Sequence, residues 1–225
     1  MAPDSRTPDA LIGSLLSGTN NGAADVLLHA LFDGYPVESL RPLILSDNDV
    51  AARAGAWIAS ELGVRARPLI NEAPDMLASN NRYVRFFSLD VVLTCATAED
   101  GPIVADAVQR ATDPDPAVRW KAMQFICRAT NEQLSSASAS GQLPVTYTAL
   151  LDPFLDPQLS DSQRIRFAER SVTYGDPLRR RLAVALAARN CSDSAFMKQL
   201  AGGPADDEIS DFARSVLTHN ASDRE

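Results

Sequence analysis

The chain is poor in the side chains that carry most protein chemistry. It has only two histidines, His29 and His219, at opposite ends of 225 residues. Its three cysteines, Cys95, Cys127 and Cys191, are odd in number and widely spaced. That argues against a disulfide framework and makes a reducing cytoplasm the expected compartment. Zinc needs clustered Cys or His ligands, so no metal site and no cofactor are expected. His-Glu-x-x-His, Cys-x-x-Cys, Walker and Gly-x-Ser-x-Gly patterns are all missing, and no residue is assigned a catalytic role. The three cysteines each fall late in a helical segment and read as buried structural thiols. His29, inside VLLHALF, reads as a partly buried helix residue. There is also no apolar run near 18 residues, so no membrane span is expected. The polar, acid-bearing opening MAPDSRTPDA does not read as a secretory signal.

Lysine is scarce too. Only two of the 21 basic residues are lysine, and 29 acids bring the formal net charge to −8. A nucleic-acid binder normally shows a basic footprint, so nucleic acid is an unlikely partner. The balance suits attraction to a basic partner instead. One segment runs against it. Arg164, Arg166, Arg170, Arg179, Arg180, Arg181 and Arg189 face only Asp161, Glu169 and Asp176. That excess is the one place for a phosphate or an acidic partner, although a solvated, ion-paired face is the plainer reading.

What the chain does have is a recurring pattern: Asp or Asn, then Arg four residues later, then a small side chain three further on. It reads Asp49, Arg53, Ala56; Asn81, Arg85, Ser88; Asp115, Arg119, Ala122; and Asp176, Arg180, Ala183. A degenerate copy follows at Asp206, Ser210 and Ala213. The steps between Arg positions are 32, 34 and 61 residues, with 30 more to Ser210. Steps near 30 signal stacked supersecondary units.

Each copy opens an amphipathic helix. In residues 113–130, Val118, Ala122, Phe125, Ile126 and Ala129 recur at three- and four-residue steps, which is one face of a 3.6-period helix. Asp115 sits at the N-cap with Pro116 at the first helical position, and Asp176 and Pro177 repeat the arrangement. The motif arginine is placed to reach back to that acid or to the acid of the next copy, forming a ladder that sets repeat register. The small residues allow close backbone approach. Shorter helical stretches at 36–45, 66–78 and 102–111 precede the motif helices, and 8–17 with 22–32 form a capping pair. The long step contains NEQLSSASASGQLP, residues 131–144, which reads as a flexible loop. Helices without a motif follow at 145–155 and 161–173.

The segment DPDPAVRWKAMQFI resembles a HEAT-type repeat, with weaker copies in DNDVAARAGAWIA, NNRYVRFFSLDVV and GDPLRRRLAVALAA. The resemblance covers residues 36–130 well and 160–217 moderately, and 131–159 depart from it. It implies an all-α fold, a right-handed α-solenoid of about five to six HEAT-like helix pairs in a single domain over 1–225. Residues 1–35 would be its N-terminal cap, 36–130 its regular repeats, 131–159 an insertion or divergent repeat, and 160–220 its C-terminal repeats. Second helices would line a concave face. Family members mostly act as protein-binding scaffolds.

The face opposite the core stripe supplies the binding candidates. Around Arg119 it holds Trp120, Met123, Gln124 and Cys127; in the preceding copy, Phe86, Leu89, Asp90 and Leu93; before that, Trp57 and Ile58; later, Arg181. Phe86, Phe87, Asp90, Trp120, Lys121, Gln124 and Arg181 are thus candidates for the groove, since aromatic and Arg side chains anchor interfaces. Packing between repeats is the competing role for Trp120 and Phe86. The function expected is a non-catalytic, cytoplasmic adaptor holding a protein partner, such as a bacterial neutraliser of a basic toxin or nuclease. A DNA-base glycosylase of the helical-repeat type, using Phe86, Asp90 and Trp120 with Arg179 to Arg181 on phosphate, is the alternative. A bilin lyase-like helper is a third.

Overall fold

A computed structural model describes residues 7–20, 22–191, 194–204 and 207–222. Asp206 of the degenerate copy and the side chains of Cys191 and His219 lie outside the described residues. Those residues form fourteen α-helices and no strand. No helix among them is long and apolar enough to cross a membrane. The chain divides into two compact units, residues 1–96 and 97–225.

The first unit contains α1 (Pro8–Leu16), α2 (Ala23–Phe32), α3 (Arg41–Ile44), α4 (Asp49–Glu61), α5 (Ala73–Ala78) and α6 (Arg82–Cys95). Successive helices pair, α1 with α2, α3 with α4 and α5 with α6, and α4 also packs against both α2 and α6. The leading helices are short because prolines and 3-10 turns interrupt them, as at Val37–Leu40 and Gly63–Glu72, which holds Pro68. Gly55 faces α3 so closely that an added Cβ would stand 2.8 Å from the Leu43 Cβ and 2.9 Å from the Ile44 nitrogen.

The second unit contains α7 (Gly101–Gln109), α8 (Pro116–Arg128), α9 (Asn131–Ala139), α10 (Val145–Leu155), α11 (Asp161–Tyr174), α12 (Pro177–Cys191), α13 (Ala195–Ala201) and α14 (Glu208–Ser222). The motif helices α8 and α12 pack directly on each other, and α12 packs on α14. The intervening helices are accommodated elsewhere: α9 lies on α7, α10 on α9 and α12, and α11 on α12. The 61-residue step is therefore an excursion through α9, α10 and α11 between two helices that are neighbours in space.

The flexible loop expected over 131–144 is not found, because most of it is α9. Thr130 and Gln133 form a capping box at its start, with the Thr130 N–H donating to Gln133 Oε1 (2.8 Å) and the Gln133 N–H donating to Thr130 Oγ1 (3.1 Å). Its serine and alanine content serves close packing. Leu134 and Ala137 are fully buried, and an added Cβ at Gly101 of α7 would lie 2.5 Å from the Ser136 carbonyl. Ser136 and Ser140 turn their hydroxyls onto the carbonyls three residues back, at 2.8 and 2.7 Å.

The core stripe of α8 follows the expected period, with Val118, Ala122, Phe125, Ile126 and Ala129 all 2% exposed or less. The small motif residues Ala56, Ser88, Ala122, Ala183 and Ala213 are all completely buried. Motif caps form at Asn81, Asp115 and Asp176, whose side chains accept from Tyr83, Ala117 and Arg179 N–H groups at 2.9 Å. At the first copy the cap lies one residue earlier. Asn48 accepts from Val50 and Ala51, and Asp49 is already inside the helix. Two residues ahead of three of these caps stands a further polar side chain. Ser46, Ser79 and Asp113 accept from the N–H of Asn48, Asn81 and Asp115 at 3.1, 3.2 and 2.9 Å.

His29 is exposed, its Nδ1 on the Asp25 carbonyl at 2.7 Å, so the partly buried reading does not hold. It falls on the outer side of α2, away from the stripe of Leu27, Leu28 and Leu31 that meets the core.

Candidate functional site

In the first unit, α4 lies between α2 and α6, and its outward face carries Asp49, Val50, Arg53, Ala54 and Trp57 at helical spacing. This face forms the floor of a cavity of about 720 Å³. Trp57, Val50 and Ala54 give it an apolar centre, with Ala24 of α2 on one side and Phe87 of α6 on the other. Polar groups form the rim: Asn20 and Asp25 near α2, Asp49 and Arg53 on α4, and Asn81 and Tyr83 at the start of α6.

Two contacts fix the rim. The Asn81 side-chain amide donates to Asp49 Oδ1 at 3.0 Å, joining the starts of α4 and α6. The Arg53 guanidinium lies 4.0 Å from the centroid of the Tyr83 ring, and that of Arg82 is 4.7 Å from the same ring. A cation over an exposed ring contributes about 0.5–1 kcal/mol. Among the lining residues two carboxylates, Asp25 and Asp49, stand with the Arg53 guanidinium around aromatic and aliphatic surface, and Arg82 lies just outside the lining on Tyr83. The arrangement suits reception of a long cationic side chain, stem on the apolar floor and head at the acids. The lining contains no His, Cys, Ser or Lys. Among the described residues, no group of three or more His, Cys, Asp or Glu side chains is placed to hold a metal ion.

The candidates read from the sequence are distributed unevenly. Phe87 lines the cavity; its neighbour Phe86 does not, and instead meets it edge-on with centroids 5.6 Å apart. Asp90 is half-buried on α6, away from the cavity lining. The others belong to the second unit. The Trp120 ring packs edge-on against buried Phe212 of α14, centroids 5.3 Å apart. Arg181 Nε donates to Glu208 Oε2 at 2.7 Å and its Nη1 to the Ala111 carbonyl at 3.3 Å. Lys121 and Gln124 are half-buried on α8.

The motif arginines have different partners. Arg85 and Arg119 each reach the carbonyls six and five residues earlier, Ser79 and Asn80 (2.8 and 3.1 Å) and Asp113 and Pro114 (3.0 and 3.1 Å). Arg119 also donates through Nε to Glu208 Oε1 at 3.0 Å. Glu208 thus joins α8, α12 and α14. Arg53 serves the cavity rim. Arg180 Nε is buried without an acceptor among the described residues.

Cysteine chemistry is muted. Cys95 is buried with its thiol on the Gly63 carbonyl at 3.3 Å. Cys127 is only half-buried, a departure from the buried reading, because α8 turns it away from the core stripe. Desolvation still pushes its thiol above the ordinary value, against the opposing pull of Arg189 and Arg128. Burial likewise raises the Asp106 carboxyl on α7, partly offset by Arg110.

Trp57 and Phe87 were accessible from the repeat pattern, being on the second helix of consecutive copies. Asn20, Ala24 and Asp25 were not, because they lie in the opening pair, which has no motif. Tyr83 was missed as well; it stands two residues past the Asn81 cap, with its N–H on Asn81 Oδ1 and its ring beneath Arg53. No protein-family model matches the chain, and no curated protein is significantly similar to it.

Proposed function

We propose that the chain is a HEAT-like α-solenoid acting as a non-catalytic protein-binding scaffold, and that it receives a basic segment of a partner in the α2–α4–α6 cavity. The observation that carries this reading is the cavity itself, which brings the aromatic rings of Trp57 and Phe87 together with the Asp25 and Asp49 carboxylates in one lining. An inserted Lys or Arg side chain gains a cation–π contact there worth about 0.5–2 kcal/mol, the more so as water leaves. The −8 net charge favours encounter with a basic partner over any distance that salt leaves unscreened. Neutralisation or regulation of that partner in the cytoplasm belongs to the same proposal. The DNA-base glycosylase reading draws no support from this cavity, whose lining includes none of Phe86, Asp90 and Trp120.

The test compares the wild-type chain with Trp57→Ala and Asp49→Asn in two assays, after circular dichroism shows equal helix content. Titration of the protein into a fluorescein-labelled arginine-rich peptide, followed by fluorescence anisotropy, should give saturable binding that weakens about tenfold in each variant, equivalent to about 1.4 kcal/mol. Binding unchanged in both variants removes the cavity from the interface. A duplex DNA mobility shift at low salt, unaltered in both variants, would instead favour the nucleic-acid reading.

A further inference from the structure

The second unit has a hollow of its own, of opposite charge. It has a volume of about 350 Å³ and lies where α11 turns into α12, lined by Phe167, Arg170, Ser171, Tyr174, Gly175 and Arg179. No acid is among those residues. The neighbouring carboxylate, Asp176, is turned onto the start of α12, where it accepts from the Arg179 N–H at 2.9 Å. Other arginines of the basic segment are engaged: Arg164 with Asp161 at 3.0 Å, Arg181 with Glu208, and Arg189 with the Ala129 carbonyl. Among the described residues, Arg170 and Arg179 have no such ion pair, and Arg179 Nε is buried without an acceptor. Two guanidiniums lining a hollow without a carboxylate are the natural complement of an oxyanion.

The turn is shaped to hold these groups. A Cβ at Gly175 would stand 2.2 Å from the Ser171 carbonyl and 2.7 Å from the Arg179 Cβ, so only glycine lets α11 end so close to Arg179. Tyr174, 85% exposed, lines the same hollow and offers an accessible aromatic face. Phe167, which meets Phe154 edge-on at 6.0 Å, supplies a fixed apolar wall.

We infer that this hollow binds a phosphomonoester borne on a flat ring, with Arg170 and Arg179 on the phosphate and Tyr174 covering the ring. Two guanidiniums match a phosphate dianion in charge and offer it fork-shaped donors. Aryl phosphates and nucleoside monophosphates share this chemistry.

Titration followed through the arginine Nε–H and tyrosine ring NMR signals separates the outcomes. Phenyl phosphate should shift the Arg179 and Tyr174 signals saturably. Inorganic phosphate should bind about tenfold more weakly, as should phenyl phosphate to Arg170→Gln or Tyr174→Ala. Both replaced side chains are exposed and engaged in no intrachain ion pair, so these variants stay folded. Adenosine monophosphate and a phosphotyrosine peptide form the two remaining arms; tighter binding of either identifies the source of the ring phosphate. Absence of saturation with phenyl phosphate, or equal affinity for it in wild type and both variants, overturns the inference. So does inorganic phosphate binding as tightly as phenyl phosphate, which would leave Tyr174 without a role.

Discussion

Replacing Glu208 with glutamine tests what holds the motif helices of the second unit together. Its carboxylate accepts from Arg119 at 3.0 Å and Arg181 at 2.7 Å, with the three side chains 24%, 20% and 17% exposed. Exposed pairs contribute about 0–1 kcal/mol, whereas breaking a buried pair costs about 3–5. About one-fifth exposure puts this site between those limits. Glutamine retains one acceptor oxygen, so one Nε stays bonded while the other meets an amide N–H, donor against donor. The loss is then one charge-assisted hydrogen bond plus the weakening of the second, about 2 kcal/mol. At about 4 °C per kcal/mol for a unit of this size, the melting transition of the second unit should fall by about 8 °C. Helix content should not change, since no intrahelical bond is removed. A double-mutant cycle with Arg181→Gln should give a coupling energy of at least about 1 kcal/mol, persisting in 1 M salt because the pair is shielded. Additivity within about 0.5 kcal/mol, or a coupling abolished by salt, would refute the claim that Glu208 clamps the three helices.

Gly55→Ala should destabilise the first unit by about 1–3 kcal/mol in denaturant titration despite alanine's better helix propensity, because the new methyl meets the Leu43 Cβ and Ile44 backbone of α3; a gain in stability would mean α3 yields freely. Cys127 should react with iodoacetamide at pH 8 more slowly than an unfolded-state thiol, since its raised pKa leaves less thiolate, and equal rates would refute the desolvation. Asp106→Asn should raise the melting temperature at neutral pH. Its folded carboxyl titrates above the unfolded value, so the cost of charging it is present above the folded pKa and vanishes as pH falls below the unfolded one. At about pH 3 the variant and wild type should melt together, and a gain of the same size at both values would contradict the burial argument.

The helices were legible because two strong local signals coincide. An Asp or Asn cap and a 3.6-residue apolar stripe fix where α6, α8 and α12 begin, and α4 to within one residue since Asn48 and not Asp49 caps it, and which face turns inward; both are properties of neighbouring residues. The same reading failed at α9, where serine and alanine suggested flexibility. Small side chains are ambiguous in sequence, because they suit a solvated loop and a tightly packed helix equally well. Only the presence of Gly101 opposite Ser136, 35 residues away, decides between them. A signal was nevertheless present in Thr130 and Gln133, a capping box three residues apart.

The motif arginine shows where local reading stops. Arg85 and Arg119 share a local task, closing the two carbonyls of the turn that leads into their helix, and that task follows from their spacing to the cap. Their remaining contacts are set by whatever helix arrives beside them. Arg119 meets a glutamate 89 residues later, and Arg53 meets a tyrosine 30 residues later at the edge of a cavity. Identical positions in the repeat thus acquire different functions according to their neighbours. The cavity follows the same logic. Trp57 and Phe87 recur in the motif helices and were visible, while the carboxylate that completes the rim, Asp25, comes from the pair that carries no motif at all. A repeat fixes where side chains are presented, and the irregular elements beside it decide what they can bind.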